Sequence, residues 1–235
     1  MKFIISPAKT MKYKQIDVAS TTPVFLNQAK QINSVLKLKS TDELKKIFKT
    51  SDKLTLLIKK DIDSFLKVNF PVISLLDGLQ YKNIDYQTFS INEKDYFNKN
   101  VLILSGLYGI LRPTDNISPY RLDFKDNLGD FKTFDLYKEQ VDKTFFRDLI
   151  YINLSSKEYS EIIKKSVNLI DIVFAENIDG KLKMKSTFAK IARGRFLRFV
   201  TSKKVSSLEE LKEFDEGYIY STKYSTDNKV VFLKK

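Results

Sequence analysis

The sequence contains no cysteine and no histidine. Without cysteine there is no disulfide, no thiol nucleophile and no thiolate ligand for a soft metal. Without histidine there is no Ser-His-Asp triad and no zinc site of the Cys/His type. Carboxylates, hydroxyls and carbonyls remain as metal ligands, and these suit hard ions such as magnesium. Chemistry in this chain therefore falls to Asp, Glu, Lys, Tyr, Ser and Arg; we predict no cofactor and no metal site.

Glycine and proline are scarce, at seven and five residues out of 235, and we find no linker, repeat or low-complexity tract. No apolar run approaches the roughly 20 residues that span a bilayer. Met1 leads directly into Lys2–Ile5, which is typical of a first strand rather than of a secretion signal. We therefore expect a single domain over residues 1–235, located in the cytoplasm and without a membrane partner.

Negative charge is in the minority, because 41 Lys and Arg residues outweigh 29 Asp and Glu residues to give a formal net charge of +12. This balance predicts an anionic partner, above all nucleic acid, although a solvated lysine surface is the alternative. Only six of the basic residues are arginine, and five of these lie in two segments, 112–121 and 193–198. Clustered arginine indicates positions where a planar guanidinium group binds a carboxylate or phosphate through two hydrogen bonds.

The segment from Leu104 to Asp123 follows the apolar run Val101–Leu104, which predicts a buried strand. The segment holds two of the seven glycines and two of the five prolines, so its backbone is shaped rather than merely flexible. A strand that ends in such a loop is where open α/β sheets place their sites, and a tight structural connection is the alternative. Its polar side chains are Ser105, Tyr108, Arg112, Thr114, Asp115, Tyr120, Arg121 and Asp123.

Two short helices joined by a tight turn are predicted between Ser40 and Leu66. Ser40 and Glu43 have the spacing of a capping box, and Thr50–Asp52 supplies a turn and a second cap. The lysines of this pair are positioned to present a basic edge to a phosphate backbone, and a plain solvated helix pair is the alternative. These lysines are Lys45, Lys46, Lys49, Lys53, Lys59 and Lys60.

A later helix, predicted over Phe188–Ser202, contains the second arginine cluster. At about 100° per residue, Arg195 falls on the apolar face of this helix between Phe188 and Ile191. A charge on such a face needs a partner, which predicts either an internal salt bridge or an anion pocket. Gly194 in the middle of the helix indicates close approach by another element.

Further helices are predicted from a Thr22-Pro23 start through Leu36, over Asn92–Asn98 and over Asp135–Phe146. For the second of these, Ser90 and Glu93 have the spacing of a capping box. Leu149–Leu154 reads as a strand, and hairpins are predicted around Asp179-Gly180 and near Asp227-Asn228.

Several motifs, in order along nearly the whole chain, resemble the YaaA family of bacterial peroxide-stress proteins. They are Ser6–Thr10, Ser51–Lys53, Leu104–Pro113, Pro119–Leu122, Ile152–Ser155 with Glu158-Tyr159, and Ala189–Gly194. One departure is Asp123, which stands where the family pattern leads us to expect Glu. The resemblance implies a compact α/β fold in which helices wrap a mixed β-sheet. It also implies a role in surviving hydrogen peroxide by lowering free intracellular iron, and duplex DNA binding through a basic cleft with a helix-hairpin-helix-like element. We place that element on Ser40–Leu66.

Two functional hypotheses follow. In the first, the chain is a DNA-binding stress protein whose helix-pair lysines contact phosphates. In the second, it is an enzyme or sensor for a small anionic, nucleotide-like ligand, with Tyr108, Tyr120 or Asp52 as acid or base. The binding shell for that ligand comprises Ser6, Lys9, Ser105, Tyr108, Arg112, Tyr120, Arg121, Lys190, Arg193 and Arg195.

Overall fold

The structure, a computed structural model, describes residues 1–144 and 149–235, and of residues 139, 140 and 142–144 only the backbone. Its helices are α1 Leu26–Lys37, α2 Thr41–Phe48, α3 Asp52–Asp63, α4 Val72–Leu75, α5 Leu79–Ile84, α6 Ile91–Asn100, α7 Thr133–Thr144, α8 Lys157–Ser160, α9 Ser186–Lys203 and α10 Leu208–Leu211. Its strands are β1 Lys2–Ile5, β2 Thr10–Met11, β3 Phe70–Pro71, β4 Leu76–Asp77, β5 Val101–Ser105, β6 Gly109–Leu111, β7 Asn116–Ile117, β8 Ile150–Leu154, β9 Asn168–Ile178, β10 Lys181–Lys183, β11 Tyr218–Tyr220 and β12 Lys229–Lys234.

The main sheet has a parallel centre and antiparallel edges. Strands β12, β9, β8, β1 and β5 are parallel neighbours, while β11 and β6 run antiparallel at the two edges and β10 pairs with the far end of β9. Strand β1 lies inside the sheet, next to the central strand β8, and its Phe3 pairs with Val101 of β5 on one side and with Ile152 of β8 on the other. The predicted α/β class with a mixed sheet is confirmed.

The core forms on both sides of this sheet. Phe3, Ile4 and Ile5 have no exposed surface, as expected for a parallel strand covered on both faces. A cluster of aromatic rings around Phe174, Phe196 and Phe214 joins β9 to α9, with ring centroids 5.2–5.9 Å apart. Burial of this apolar surface is the main stabilising term of the fold.

Capping residues determine where the predicted helices begin. Ser40 and Ser90 each form a complete capping box, with Glu43 and Glu93 respectively, and Ser51 caps α3. The predicted Thr22-Pro23 start of α1 is wrong, because the helix begins at Leu26 after an uncapped Phe25. The predicted helix over Asp135–Phe146 is observed as α7, and its last two residues lie outside the described residues.

The segment 104–123 folds back on itself in close contact. A Cβ on Gly106 would collide with the carbonyl oxygen of Leu122, so only glycine fits under this backbone. Gly109 has φ +70°, a conformation that glycine adopts without strain. The segment is therefore a packed turn whose two ends touch.

Candidate functional site

A pocket lies beyond the carboxyl ends of β1 and β8, and we call it the strand-end pocket. In the sheet, β1 and β8 are neighbours. The next strand of the sheet after β1 is β5 on one side and the next strand after β8 is β9 on the other, so the two connections diverge and open a crevice there, as in other open α/β sheets. The pocket has a volume of about 350 Å³. Its lining residues are Ser6, Pro7, Ala8, Lys9, Thr10, Asp77, Gly78, Leu79, Gln80, Tyr81, Asp123, Ser156, Glu158, Tyr159, Lys190 and Arg193.

Ser6 joins three walls of the strand-end pocket. Its carbonyl oxygen accepts a hydrogen bond from the Tyr81 hydroxyl at 2.7 Å. Its own hydroxyl oxygen accepts from the backbone N–H of Ser156 at 2.9 Å. The loop after β1, helix α5 and the turn after β8 are therefore fixed to one another by a single residue.

The wall formed by α9 approaches α5 closely because residue 194 is glycine. A Cβ at Gly194 would collide with the backbone oxygen of Gln80 and would lie 2.7 Å from Asn83 Cβ. The close approach expected from Gly194 is confirmed, and the approaching element is α5. Gln80 itself is 7% exposed, and its amide Nε2 is buried without a hydrogen-bond partner.

Each carboxylate of the strand-end pocket already has a cation. Asp123 accepts a hydrogen bond from the Tyr159 hydroxyl and lies 3.2 Å from Lys9 Nζ. Asp77 lies 3.3 Å from the Nζ of Lys14, outside the pocket. Glu158 Oε2 is 3.2 Å from the Nζ of Lys125, also outside it, and Glu158 Oε1 is buried without a partner.

The two cations that α9 contributes are unpaired. Within the described chain, Lys190 and Arg193 have no hydrogen bond and no carboxylate within 4.0 Å. Burial lowers the pKa of Arg193, and the more distant Asp171 opposes that shift only in part. The lining of the strand-end pocket therefore carries a surplus of positive charge on one wall.

A second concavity, the basic cleft, adjoins this pocket and has a volume of about 650 Å³. The two share Lys9 and Asp123. The basic cleft is lined by Lys9, Lys46, Ile47, Phe48, Lys49, Arg121, Asp123, Lys125, Asp126 and Asn127. Five of these side chains are cationic and two are carboxylates, and burial raises the pKa of Asp126, which favours its neutral form.

The residues predicted to form the binding shell of a small anion lie in different parts of the structure. Ser6, Lys9, Lys190 and Arg193 come together in the strand-end pocket, and Arg121 lines the basic cleft. Ser105, Tyr108 and Tyr120 are buried in the core and line neither concavity. Arg112 is bound to Asp115, and Arg195 is exposed.

The placement of Arg195 on the apolar face of α9 is wrong. Its side chain is exposed, whereas Arg193 is partly buried and lines the strand-end pocket. The prediction used Phe188 to identify the buried face of the helix, but Phe188 is itself 42% exposed and does not lie on that face.

The six lysines predicted to bind DNA from the helix pair α2 and α3 also differ in their surroundings. Lys46 and Lys49 line the basic cleft. Lys45 lies 2.6 Å from Asp52, and Lys59 lies 2.9 Å from Asp63, so both are ion-paired. The remaining two, Lys53 and Lys60, are exposed and line neither the cleft nor the strand-end pocket.

The three residues considered as acid or base, Tyr108, Tyr120 and Asp52, have structural roles. Burial raises the pKa of Tyr108 and of Tyr120, so neither ionises near neutral pH. The Tyr108 hydroxyl oxygen accepts a hydrogen bond from the backbone N–H of Ser118, and Asp52 pairs with Lys45. Sequence reasoning missed Gln80 and Glu158 as lining residues, although Gln80 follows the Asp77-Gly78 turn.

Two kinds of feature are missing from the described part of the chain. Among the side chains that the structure describes, no group of three or more Asp or Glu residues is arranged to hold a metal ion. Within residues 1–144 and 149–235, no helix combines the length and the apolar character needed to cross a bilayer.

Comparison with known proteins gives a consistent result. A sequence profile described as "Peroxide stress protein YaaA" matches residues 1–224. A UPF0246 protein of Finegoldia magna is 38% identical, with all of this chain and 98% of that protein covered. UPF0246 proteins of Clostridioides difficile and Lactobacillus johnsonii are 34% and 35% identical, again with all of this chain covered and with 100% and 98% of those proteins.

Proposed function

This chain belongs to the YaaA family of peroxide stress proteins, and we propose that it acts in that response, in the cytoplasm, by binding duplex DNA in the basic cleft and by lowering free intracellular iron. The observation that supports DNA binding is the set of cations in the cleft that lack carboxylate partners. The iron component is supported by the family resemblance alone.

Three cations carry the DNA proposal. Lys46 and Lys49 come from the end of α2, and Arg121 comes from the segment that folds over Gly106. Within the described chain none of the three lies within 4.0 Å of a carboxylate. Unpaired cations on facing segments are suited to the phosphates of a nucleic-acid backbone, because binding releases counterions from the DNA.

The remaining surface of the helix pair is less suitable. Lys45 and Lys59 are engaged by Asp52 and Asp63, and Asp42 is also exposed there. Carboxylates beside the lysines repel phosphate and reduce the number of counterions that binding can release. We therefore assign the phosphate contacts to the cleft side of the helix pair, with Lys53 and Lys60 outside the contact.

The test is duplex affinity by fluorescence anisotropy across a salt series. The variant K46Q/K49Q/R121Q removes three cleft cations, and K53Q/K60Q/K67Q removes three exposed cations elsewhere. We expect the first variant to bind at least about tenfold more weakly and to flatten the slope of log K against log salt by about 3, since each phosphate contact contributes about 0.9.

The control variant is expected to retain most of the affinity at each salt concentration. Equal losses in the two variants would reject the cleft as the specific contact surface, and a loss confined to the control variant would place the DNA on the outer face of the helix pair. Binding of the wild-type protein that does not change with salt would reject the phosphate contacts altogether.

The iron component is tested in a bacterial strain that lacks its own family member. Cells complemented with this chain are expected to hold less free iron after hydrogen peroxide treatment, as measured by whole-cell electron paramagnetic resonance of chelated ferric iron. If iron control depends on DNA binding, K46Q/K49Q/R121Q leaves free iron high at equal protein abundance. A variant that lowers iron like the wild type separates the two activities.

A further inference from the structure

We infer that the strand-end pocket is a binding site for a phosphate monoester of nucleoside size, such as a nucleoside monophosphate, whose phosphate is held by Arg193 and Lys190. This site is separate from the phosphate contacts proposed for the basic cleft, and it does not depend on DNA binding.

The first argument is the charge on the α9 wall. All three carboxylates of the pocket are paired, with Lys9, Lys14 and Lys125. Among the described residues, no carboxylate lies within 4.0 Å of Lys190 or Arg193, and the more distant Asp171 offsets the burial of Arg193 only in part. A partly buried guanidinium without a partner is unfavourable, so an anion that enters the pocket removes that cost.

The second argument is the geometry of the donors. An arginine presents a planar fork that binds two phosphate oxygens together, and lysine adds a point charge. Helix α5 is held against α9 at Gly194, which brings the backbone of Gln80 next to the residue that follows Arg193. Gln80 also lines the strand-end pocket, and its buried Nε2 lacks a hydrogen-bond partner. Lys190, Arg193 and Gln80 therefore supply donor groups to the lining of one pocket.

The third argument concerns the rest of the ligand. A volume of about 350 Å³ exceeds what a bare phosphate needs and lies within the range of sites for small organic ligands. Tyr81 and Tyr159 provide aromatic surface in the lining. The Oε1 atom of Glu158 is a buried acceptor without a partner, and a hydroxyl or amino group of a nucleoside can donate to it.

The position of the pocket agrees with this assignment. It lies at the carboxyl ends of the parallel strands β1 and β8, where the chain connections diverge. Open α/β sheets bind their ligands at such a point. The hydrogen bonds of Ser6 to Tyr81 and Ser156 preorganise this end of the sheet, so binding does not require the walls to be ordered first.

The test is isothermal titration calorimetry with AMP, GMP, adenosine and inorganic phosphate as probes. We expect at least one of the two nucleotides to bind, and to bind at least tenfold more tightly than either adenosine or inorganic phosphate. R193Q is expected to weaken nucleotide binding at least tenfold. R195Q is the matched control, because Arg195 lies on the same helix and is exposed, and it is expected to change affinity less than twofold.

Three results would overturn the inference. One is the absence of nucleotide binding by the wild-type protein at millimolar concentration. Another is an equal loss in R193Q and R195Q, and a third is inorganic phosphate binding as tightly as the nucleotides. Since Arg193 makes no ion pair, R193Q is expected to fold, and its melting temperature checks this. The cleft variant K46Q/K49Q/R121Q is expected to bind the nucleotide normally; its failure to do so would place the ligand in the cleft.

Discussion

Arg112 holds the carboxylate of Asp115 through two nitrogen atoms, with Nε and Nη2 at 3.1 and 2.8 Å from Oδ1. Asp115 is completely buried, and it also accepts hydrogen bonds from the Arg112 backbone N–H and the Thr21 hydroxyl. The same Nη2 also donates a hydrogen bond to the carbonyl oxygen of Thr22 at 2.8 Å. Arg112 therefore joins the turn to the chain before α1 and is not available to a ligand.

The substitution R112A is expected to lower the free energy of unfolding by about 2–4 kcal/mol, because it leaves a buried carboxylate without its counter-charge. Urea denaturation measures the change, with R195A as the control. Since Arg195 is exposed, its removal is expected to change stability by less than about 0.5 kcal/mol. Equal stability of R112A and the wild type would contradict the structural role.

Gly106 is expected to tolerate no side chain. In G106A the new methyl group overlaps the carbonyl of Leu122, and the two ends of the segment must separate. We expect a loss of about 2–3 kcal/mol in the free energy of unfolding. G78A is the control, because a Cβ there would lie 3.4 Å from Ala8 Cβ, an ordinary contact. Similar losses in both variants would show that the overlap at Gly106 is not the cause.

Asp61 predicts a stability that depends on pH. Burial raises the pKa of Asp61 to about 6, with Lys60 opposing the shift. The protonated Asp61 carboxyl group is more favourable in the folded protein than in the unfolded chain. The stability that this protonation contributes is fully present below the pKa of the unfolded chain, and it is lost as pH rises through about 6.

The substitution D61N removes this pH dependence. We expect D61N to be more stable than the wild type by about 1–2 kcal/mol at pH 7.5, with a smaller difference at pH 5. Urea denaturation at both pH values provides the measurement. D63N is the control, because Asp63 is exposed at the end of the same helix.

The capping box of α2 gives a prediction about the helix that carries Lys46. Ser40 accepts from the Glu43 backbone N–H at 3.2 Å, and Glu43 accepts from the Ser40 backbone N–H at 2.8 Å. S40A is expected to lower stability by about 1 kcal/mol, because it removes the hydroxyl that accepts from the Glu43 backbone N–H. S34A, within α1, is expected to have no measurable cost, and thermal denaturation of both variants decides the comparison.

Local signals in the sequence predicted much of the fold. Ser40 with Glu43 and Ser90 with Glu93 mark helix starts because a cap is a short-range interaction between neighbouring residues. The hairpin around Asp179-Gly180 is also predictable, since both residues adopt positive φ. These features depend on a few adjacent positions, and all of them are confirmed.

The site was harder to predict because its residues are distant in sequence. Gln80 and Glu158 became visible as lining residues only when α5 and α8 were placed beside the end of β1. Helical periodicity assigned Arg195 to the apolar face of α9, whereas Arg193, two positions earlier, is the partly buried arginine. Periodicity alone cannot identify the buried side of α9, because that side is determined by packing against α5 and β9. Gly194 was the exception, because a glycine within a helix indicates contact without identifying the partner.

The position of β1 in the sheet has a consequence for how the protein is made. β1 is synthesised first, yet its neighbours are β5 and β8, which begin at Val101 and Ile150. Until those strands leave the ribosome, Phe3, Ile4 and Ile5 have no pairing partner in the sheet. The nascent chain therefore carries an apolar strand that has no neighbour until β5 is made and that lacks its second neighbour until β8 is made, and a shortage of chaperones is expected to lower its yield more than its final stability.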